Sequence, residues 1–338
     1  MQAYRVHAGR NQGALERIEH TVHEPRAREV RVRVHAVSLN YRDLMIVRGA
    51  YPISSENPPI AVADGAGEVI AVGSHVTRFK VGDHVAAPYF PDWIDGEPTP
   101  ENTTRVPGAS MDGLLAEEVV VPEELLVSIP ASLEYTAAAT LPCAGVTAWN
   151  ALFVEGRIKP GNTVLLLGTG GVSIWALQLA KAAGLQTIIT SSSDAKLQRA
   201  RSLGADHTIN YRTHPEWQNE VLRITHGRGA DLVIEVGGNG TLGRSVASTR
   251  TGGTVALVGG VSGFAAELQI LPLLVGAKRL IGILVGSRTM FDDLNRYVAA
   301  ARIRPAVGRV FSFDEARAAF DYLESGSHFG KVVIKVRH

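Results

Sequence analysis

Val164-Leu-Leu-Leu-Gly-Thr-Gly-Gly-Val-Ser-Ile-Trp-Ala-Leu-Gln-Leu-Ala-Lys-Ala-Ala-Gly184 is the stretch whose reading decides the fold. Its four leading apolar residues, Val164 to Leu167, predict a strand buried on both faces, and Gly168, Gly170 and Gly171 predict a turn. Val172, Trp175, Leu179 and Ala180 then recur at helical spacing, so the unit is strand, glycine turn, helix. Such a turn has a chemical use. Gly168 suits a positive φ, Gly170 lets backbone approach a pyrophosphate, and a helix starting near Gly171 aims its free N–H groups and positive dipole end at that anion. The motif is a dinucleotide fingerprint with one departure, because Ser173 stands where the third glycine is usual.

The downstream pattern supplies the context that the fingerprint needs. Strand-like runs occur at Thr187 to Thr190, His207 to Tyr211, Leu232 to Val236, Thr254 to Val258 and Leu280 to Val285. Helix-like segments lie between them at Asp194 to Leu203, Trp217 to Thr225, Leu242 to Thr249 and, less clearly, Leu268 to Leu274. Strands alternating with helices of this length predict right-handed crossovers and an α/β fold, a Rossmann doubly wound parallel sheet of six strands with ligand at the strands' carboxyl ends.

The chain has 338 residues, more than one hydrophobic core usually fills, so two domains are expected. Its formal net charge of +1 gives no field that would suggest nucleic acid or an acidic membrane surface. Met1-Gln-Ala-Tyr-Arg-Val-His7 lacks the apolar core of a signal peptide, and no run of about 18 apolar residues is present to span a bilayer. The single cysteine, Cys143, excludes an internal disulfide and suits a reducing compartment. A cytoplasmic enzyme is the expectation.

The first 140 or so residues read differently. Ala3 to His7, Ala14 to His20, Glu29 to Val37 and Gly67 to Val72 alternate apolar and polar residues, punctuated by Gly65, Gly67 and Gly82, as in a barrel-like β domain. Tyr89 to Gly113 is a long polar stretch carrying Tyr89, Phe90 and Trp93, either a functional loop that favours a flat apolar molecule or an exposed loop covering the barrel. Near the end, Arg309 to Phe313 and Lys331 to Val336 read as strands, and Asp314 to Leu323 as a helix with an apolar stripe of Ala316, Ala319, Phe320 and Leu323. This tail is expected to pack on the amino-terminal domain.

These blocks in this order resemble the medium-chain dehydrogenase/reductase superfamily, and within it the zinc-free quinone oxidoreductase-like and alcohol dehydrogenase-like branch. The resemblance covers the whole chain. It rests on Asn40-Tyr-Arg-Asp43 with Gly49-Ala-Tyr-Pro52, Asp64-Gly-Ala-Gly-Glu-Val69, Val81-Gly-Asp-His-Val85, Leu141 to Trp149, the glycine turn, and Gly204 to Tyr211. It implies an irregular β-barrel (GroES-like) catalytic domain from residues 1–128 and 287–338, a Rossmann domain from 129–286, and an active site in the cleft.

Departures from the zinc alcohol dehydrogenases carry information. That branch has a Cys where this chain has Asn40 and a Gly-His-Glu where it has Val62-Ala63-Asp64, so of the family's catalytic ligands only Cys143 remains. One such ligand does not hold zinc. No metal site is expected. His20 and His23 read as solvated surface residues, and Cys143 reads more plainly as a small buried hydrophobe than as a nucleophile, with no base identifiable nearby.

At the end of the second Rossmann strand, an NAD site wants a carboxylate for the ribose hydroxyls, and this chain has Ser191, Ser192 and Ser193 followed by Lys196. Hydroxyls, free N–H groups and a cation suit a 2′-phosphate, while Ser193 or Asp194 also serves as a helix cap. The resemblance adds Tyr211 beside that phosphate, so NADP(H) is favoured over NAD(H). It also implies cofactor contacts from Asn40, Thr147, Val172, Gly237, Gly259, Val285 and Lys331.

For catalysis the resemblance points to Asn40, Tyr41 and Tyr51, with Tyr51 matching a tyrosine that bonds a substrate carbonyl in enoyl reductase relatives. A phenol with an ordinary pKa near 10 stays protonated at neutral pH and can stabilise a developing oxyanion. Asp43 reads as a structural partner for Arg42 or for a backbone donor. Three functions stay open: NADPH-dependent reduction of a small apolar quinone, enone or ketone; alcohol oxidation; or dinucleotide binding with little turnover. The apolar strand Leu280 to Val285 would be an exposed edge if alone, so a homodimer or dimer of dimers is expected, without nucleic-acid or membrane partners.

Overall fold

The computed structural model describes residues 1–9, 14–53 and 57–336. Chain contacts divide it into two units: Met1–Val146 with Gly286–His338, and Thr147–Val285. The sequence reading set these breaks after residues 128 and 286. The first break lies later because helical turns run almost without pause from Tyr135 to Val154, through Tyr135–Ala138, Leu141–Gly145, Val146–Trp149 and Asn150–Val154.

The unit built from both chain ends is mostly β. Its strands are β1 (Gln2–Val6), β2 (Leu15–Glu19), β3 (Glu29–Leu39), β4 (Asp64–Val72), β5 (His84–Ala86), β6 (Glu118–Pro122) and β7 (Val127–Ser128), joined late in the chain by β14 (Val307–Ser312) and β15 (Lys331–Lys335). β3 organises the unit. Antiparallel neighbours flank it, with Val332 opposite Leu39, Asp64 opposite Ser38, and Val121 opposite Val30. Its alternation comes from Val30, Val32, Val34 and Ala36, all buried while the residues between them are partly exposed.

The second unit is a six-stranded parallel sheet in the order β10-β9-β8-β11-β12-β13. The strands are β8 (Thr163–Leu166), β9 (Gln186–Ser191), β10 (His207–Asn210), β11 (Ala230–Glu235), β12 (Thr249–Leu257) and β13 (Arg279–Gly282). All six predicted strands are present, within a few residues of their expected bounds. Leu165, Ile188, Val233 and Val255 from four adjacent strands meet in one core with Trp217, Val221 and Val246 from the helices that cover it. Burial on both faces explains why these strands read as continuous apolar runs.

Three local expectations change. The helix expected at Leu268 to Leu274 shortens to Leu271–Val275, with Pro272 in its first turn, where proline fits. Asp314 to Leu323 begins as a 3-10 turn, Phe313–Glu315, and becomes α-helical over Ala316–Glu324. The aromatics of the Tyr89 to Gly113 stretch form a small core of their own: Tyr89, Phe90 and Trp93 are all buried, and the Trp93 indole N–H donates to the Gly96 carbonyl at 2.9 Å. Arg288 N–H donates to the Trp93 carbonyl at 2.8 Å, fastening this lobe to the start of the helix Arg288–Ala300.

Candidate functional site

In the Rossmann unit the site begins where β8 ends. Gly168 has φ +71°, with no atom within 4 Å of where a Cβ would stand, so backbone conformation rather than crowding calls for glycine there. Gly170 is the N-cap of the helix Gly171–Ala182 and brings no side chain to occupy the first-turn N–H groups. Ser173 is buried, and its hydroxyl donates to the Leu167 carbonyl at 2.6 Å. It thus ties helix to strand, and a small side chain suffices where the fingerprint has its third glycine. Val172 lies beside it in the first turn. These groups fit a bound dinucleotide pyrophosphate.

At the end of β9, Ser191 is buried, its hydroxyl 3.5 Å from that of Thr169 and accepting from Ser193 N–H at 3.4 Å. The Ser193 hydroxyl accepts from Lys196 N–H at 3.4 Å, capping the next helix as expected. Tyr211 N–H donates to the Ser191 carbonyl at 3.0 Å, so Ser191, Ser192, Lys196 and Tyr211 gather around one strand end. Burial, reinforced by the Arg199 charge, lowers the pKa of Lys196. Asp194, the nearest carboxylate in sequence, accepts from the Asn210 amide at 2.9 Å.

Glu235 went unread in the sequence and shapes the loop after β11. Wholly buried, it accepts from Gly237 N–H at 2.6 Å, Gly238 N–H at 3.0 Å, the Thr241 hydroxyl at 2.6 Å and the Ser245 hydroxyl. Gly259 N–H donates to its carbonyl at 3.3 Å, so Gly237 and Gly259 are fixed by one residue. The only hint is an acidic residue within the apolar run Leu232 to Val236. Val285 has φ +44° and its carbonyl accepts from the Asn150 amide at 3.0 Å, while Thr147 is buried.

In the barrel unit, three adjacent strand ends converge: the start of β15 (Lys331), the end of β3 (Leu39, then Asn40) and the start of β4 (Asp64). The Lys331 ammonium donates to the Leu39 carbonyl at 2.7 Å and to the Asn40 side-chain oxygen, and stands 3.7 Å from the Asp64 carboxylate. Lys331, expected among the cofactor contacts, is therefore engaged within this unit. Burial raises the Asp64 pKa to about 6 against the opposing pull of Lys331. Cys143 donates its backbone N–H to Asp64 at 3.2 Å. Its residue keeps some exposed surface, yet the thiol is desolvated enough, with Asp64 nearby, that its pKa is pushed up to about 12. Such a thiol is no nucleophile at neutral pH.

Asp43 takes both roles foreseen for it, accepting from Asn40 N–H at 2.8 Å and from the Arg42 guanidinium at 3.1 Å. Arg42, only 7% exposed, also donates to the Pro107 carbonyl at 3.0 Å and lies over the rings of Tyr51 and Tyr89, 5.6 and 5.2 Å from their centroids. Asn40 and Tyr51 thus belong to one connected group. Tyr41 stands apart: it is 37% exposed, and its hydroxyl accepts from Arg48 at 3.5 Å.

The donor set does not suit zinc. Asn40, Ala63 and a desolvated thiol occupy the positions where the zinc branch has its ligands, and no group of three or more His, Cys, Asp or Glu able to hold a metal occurs among the described residues, His20 and His23 included. Val62 keeps φ +69° where that branch has glycine, a costly conformation for a β-branched residue.

Residues 26–131 match the alcohol dehydrogenase GroES-like domain, and residues 171–300 match the family described as zinc-binding dehydrogenase. The chain is 44% identical to a zinc-type alcohol dehydrogenase-like protein of Schizosaccharomyces pombe over 91% of each chain. It is 33% identical to a quinone oxidoreductase of Pseudomonas aeruginosa over 92% of each. Among solved structures, an NAD-dependent alcohol dehydrogenase superposes with a TM-score of 0.90 at 34% identity, covering 100% of both chains.

Proposed function

The chain belongs to the medium-chain dehydrogenase/reductase superfamily of NAD(P)-dependent oxidoreductases, and from that premise we propose that it reduces a small apolar quinone, enone or ketone with NADPH and without zinc. The observation that carries this reading is the charge balance at the ends of β3, β4 and β15. A buried ammonium, Lys331, faces Asp64 and Asn40 there, in place of a divalent cation among nitrogen and sulfur ligands. Without a Lewis acid, the oxyanion has to be met by hydrogen-bond donors, and the Tyr51 hydroxyl is the donor nominated here. Asp43 and Arg42 hold Tyr51 and Asn40 in one group.

The bound nicotinamide supplies or accepts the hydride. The serine-rich end of β9 supports the phosphorylated cofactor, since Ser191 and Lys196 offer a hydroxyl and a cation where a ribose-binding carboxylate would stand. The relatives named alcohol dehydrogenases favour a second reading, oxidation of an alcohol, which would use the same residues in reverse. Purified protein should carry no stoichiometric zinc, oxidise NADPH with members of a quinone and enone panel, and keep that activity after prolonged chelation. One zinc per chain, with turnover lost on its removal, would reject the reading.

A further inference from the structure

Arg42 presents an unexplained arrangement. Its side chain is buried, yet among the described residues Nε and Nη1 have no hydrogen-bond partner, whereas Nη2 serves both Asp43 and the Pro107 carbonyl. A buried donor without a partner is destabilising, so a cation with two of them calls for a compensating contact. The tyrosine faces provide it: Tyr51 and Tyr89 are both held by one guanidinium through cation–π contact. Gly108 secures the other side, because a Cβ there would come within 3.2 Å of Arg42 Nη2 and 2.9 Å of Val62 N.

The neglected member of this group is Tyr89. It is 8% exposed, and the contacts that fix it among the described residues are made by its ring. Its ring is set by Arg42 on one side and by an edge contact with Phe90 at 4.8 Å. Burial holds its pKa well above the ordinary phenol value, with Arg42 opposing and Cys143, Tyr51 and Asp43 adding to the rise. The phenol is therefore a proton-bearing donor throughout the physiological range, and it lies within electrostatic reach of Tyr51, Asp43 and Cys143.

We propose that Arg42 is a positioning residue that presents two phenols, Tyr51 and Tyr89, as paired donors to one carbonyl oxygen of the substrate. The proposal rests on the reductase reading and refines it: the favoured substrate is uncharged, with a carbonyl oxygen flanked by flat apolar surface. In the step served, the substrate carbon gains a hydride from the cofactor and the C=O electron pair moves onto oxygen. The phenols hold that oxygen by hydrogen bonds, and a proton from water completes the product. Tyr89 is then a catalytic residue and Arg42 acts through it.

The test compares the full-length protein with Tyr89→Phe, Tyr51→Phe, the double variant, Arg42→Lys and Arg42→Met. Tyr89→Phe keeps the ring and should lower kcat roughly 10- to 1000-fold, with substrate KM and dinucleotide affinity by fluorescence little changed. The double variant should lose less than the product of the single losses, because both phenols serve one oxygen. Arg42→Lys should retain more activity than Arg42→Met. Wild-type kcat and kcat/KM in Tyr89→Phe, on every substrate the parent reduces, would overturn the proposal, and this variant decides if the Arg42 variants do not fold. If the parent reduces nothing on the panel, the reductase reading fails, and spectroscopic titration judges the Arg42 contact by itself. The phenol absent from Tyr89→Phe should ionise at higher pH in Arg42→Met than in the parent, and an unmoved midpoint would refute the coupling.

Discussion

The Lys331 ammonium and the Asp64 carboxylate stand 3.7 Å apart with almost no contact with solvent, on side chains 3% and 0% exposed. Neither charge would be stable there alone. Asp64 has a folded pKa of about 6 against an ordinary 3.8, so the folded state binds its proton more tightly than the unfolded state does. Its stabilising contribution is therefore complete in acid and lost as pH rises through about 6. Lys331→Met removes the cation that restrains this shift. The variant should be destabilised by about 3–5 kcal/mol near neutral pH, and by less near pH 5, where Asp64 is protonated. Urea unfolding across pH 5 to 8 checks this: a loss that does not depend on pH would show that the two charges are not coupled.

Lys196→Ala addresses cofactor choice. Losing one charge-assisted contact to a 2′-phosphate should raise the KM for NADPH roughly 10- to 100-fold while leaving that for NADH nearly constant. Equal effects on both cofactors would return Lys196 to the role of a helix residue beside the Ser193 cap.

Tyr51→Phe should lower kcat roughly 10- to 1000-fold with little change in NADPH affinity. Steady-state kinetics together with a hydride isotope effect measures it. A variant at the parental rate, with hydride transfer limiting in both, would remove Tyr51 from the chemistry.

The edge of the Rossmann sheet predicts assembly. Among the described residues β13 pairs only with β12, Leu280 and Leu284 are 37% and 46% exposed, and nearby Leu271, Leu274 and Val275 are 66–75% exposed. Burying these against a second copy would gain about 25 cal/mol per Å² of apolar surface. Light scattering should report a dimer or a dimer of dimers at micromolar concentration, and a 36.1 kDa particle would contradict it.

The Rossmann unit was legible because its physics is local: buried parallel strands must be apolar throughout, and each helix announces itself by period and cap. The sequence reading does not single out the helix Arg288–Ala300, although Phe291, Leu294 and Val298 form its buried stripe and Ser287, after Gly286, caps it. The glycine turn and the Ser191–Lys196 end could be found in the sequence since their members are close along the chain. The Lys331–Asp64 pair could not, because only the antiparallel register of β15 and β4 on β3 joins them. Arg42 was read as a partner of Asp43, but its contact with Tyr89 depends on a lobe that folds on its own aromatics.

The barrel unit is interrupted by the whole of the Rossmann unit, and this ordering has a consequence for synthesis. Residues Thr147–Val285 form a continuous unit and can close as soon as they leave the ribosome. β3, made much earlier, must wait for β15 to arrive, and at about 5–20 residues per second that delay is on the order of tens of seconds. Until then Asp64 lacks its cation, the Trp93 lobe lacks its fastening to Arg288, and one flank of β3 is an open edge. The half-made barrel is thus the stage at which this chain most needs a chaperone, and truncation of its last few residues should harm the first domain before the second.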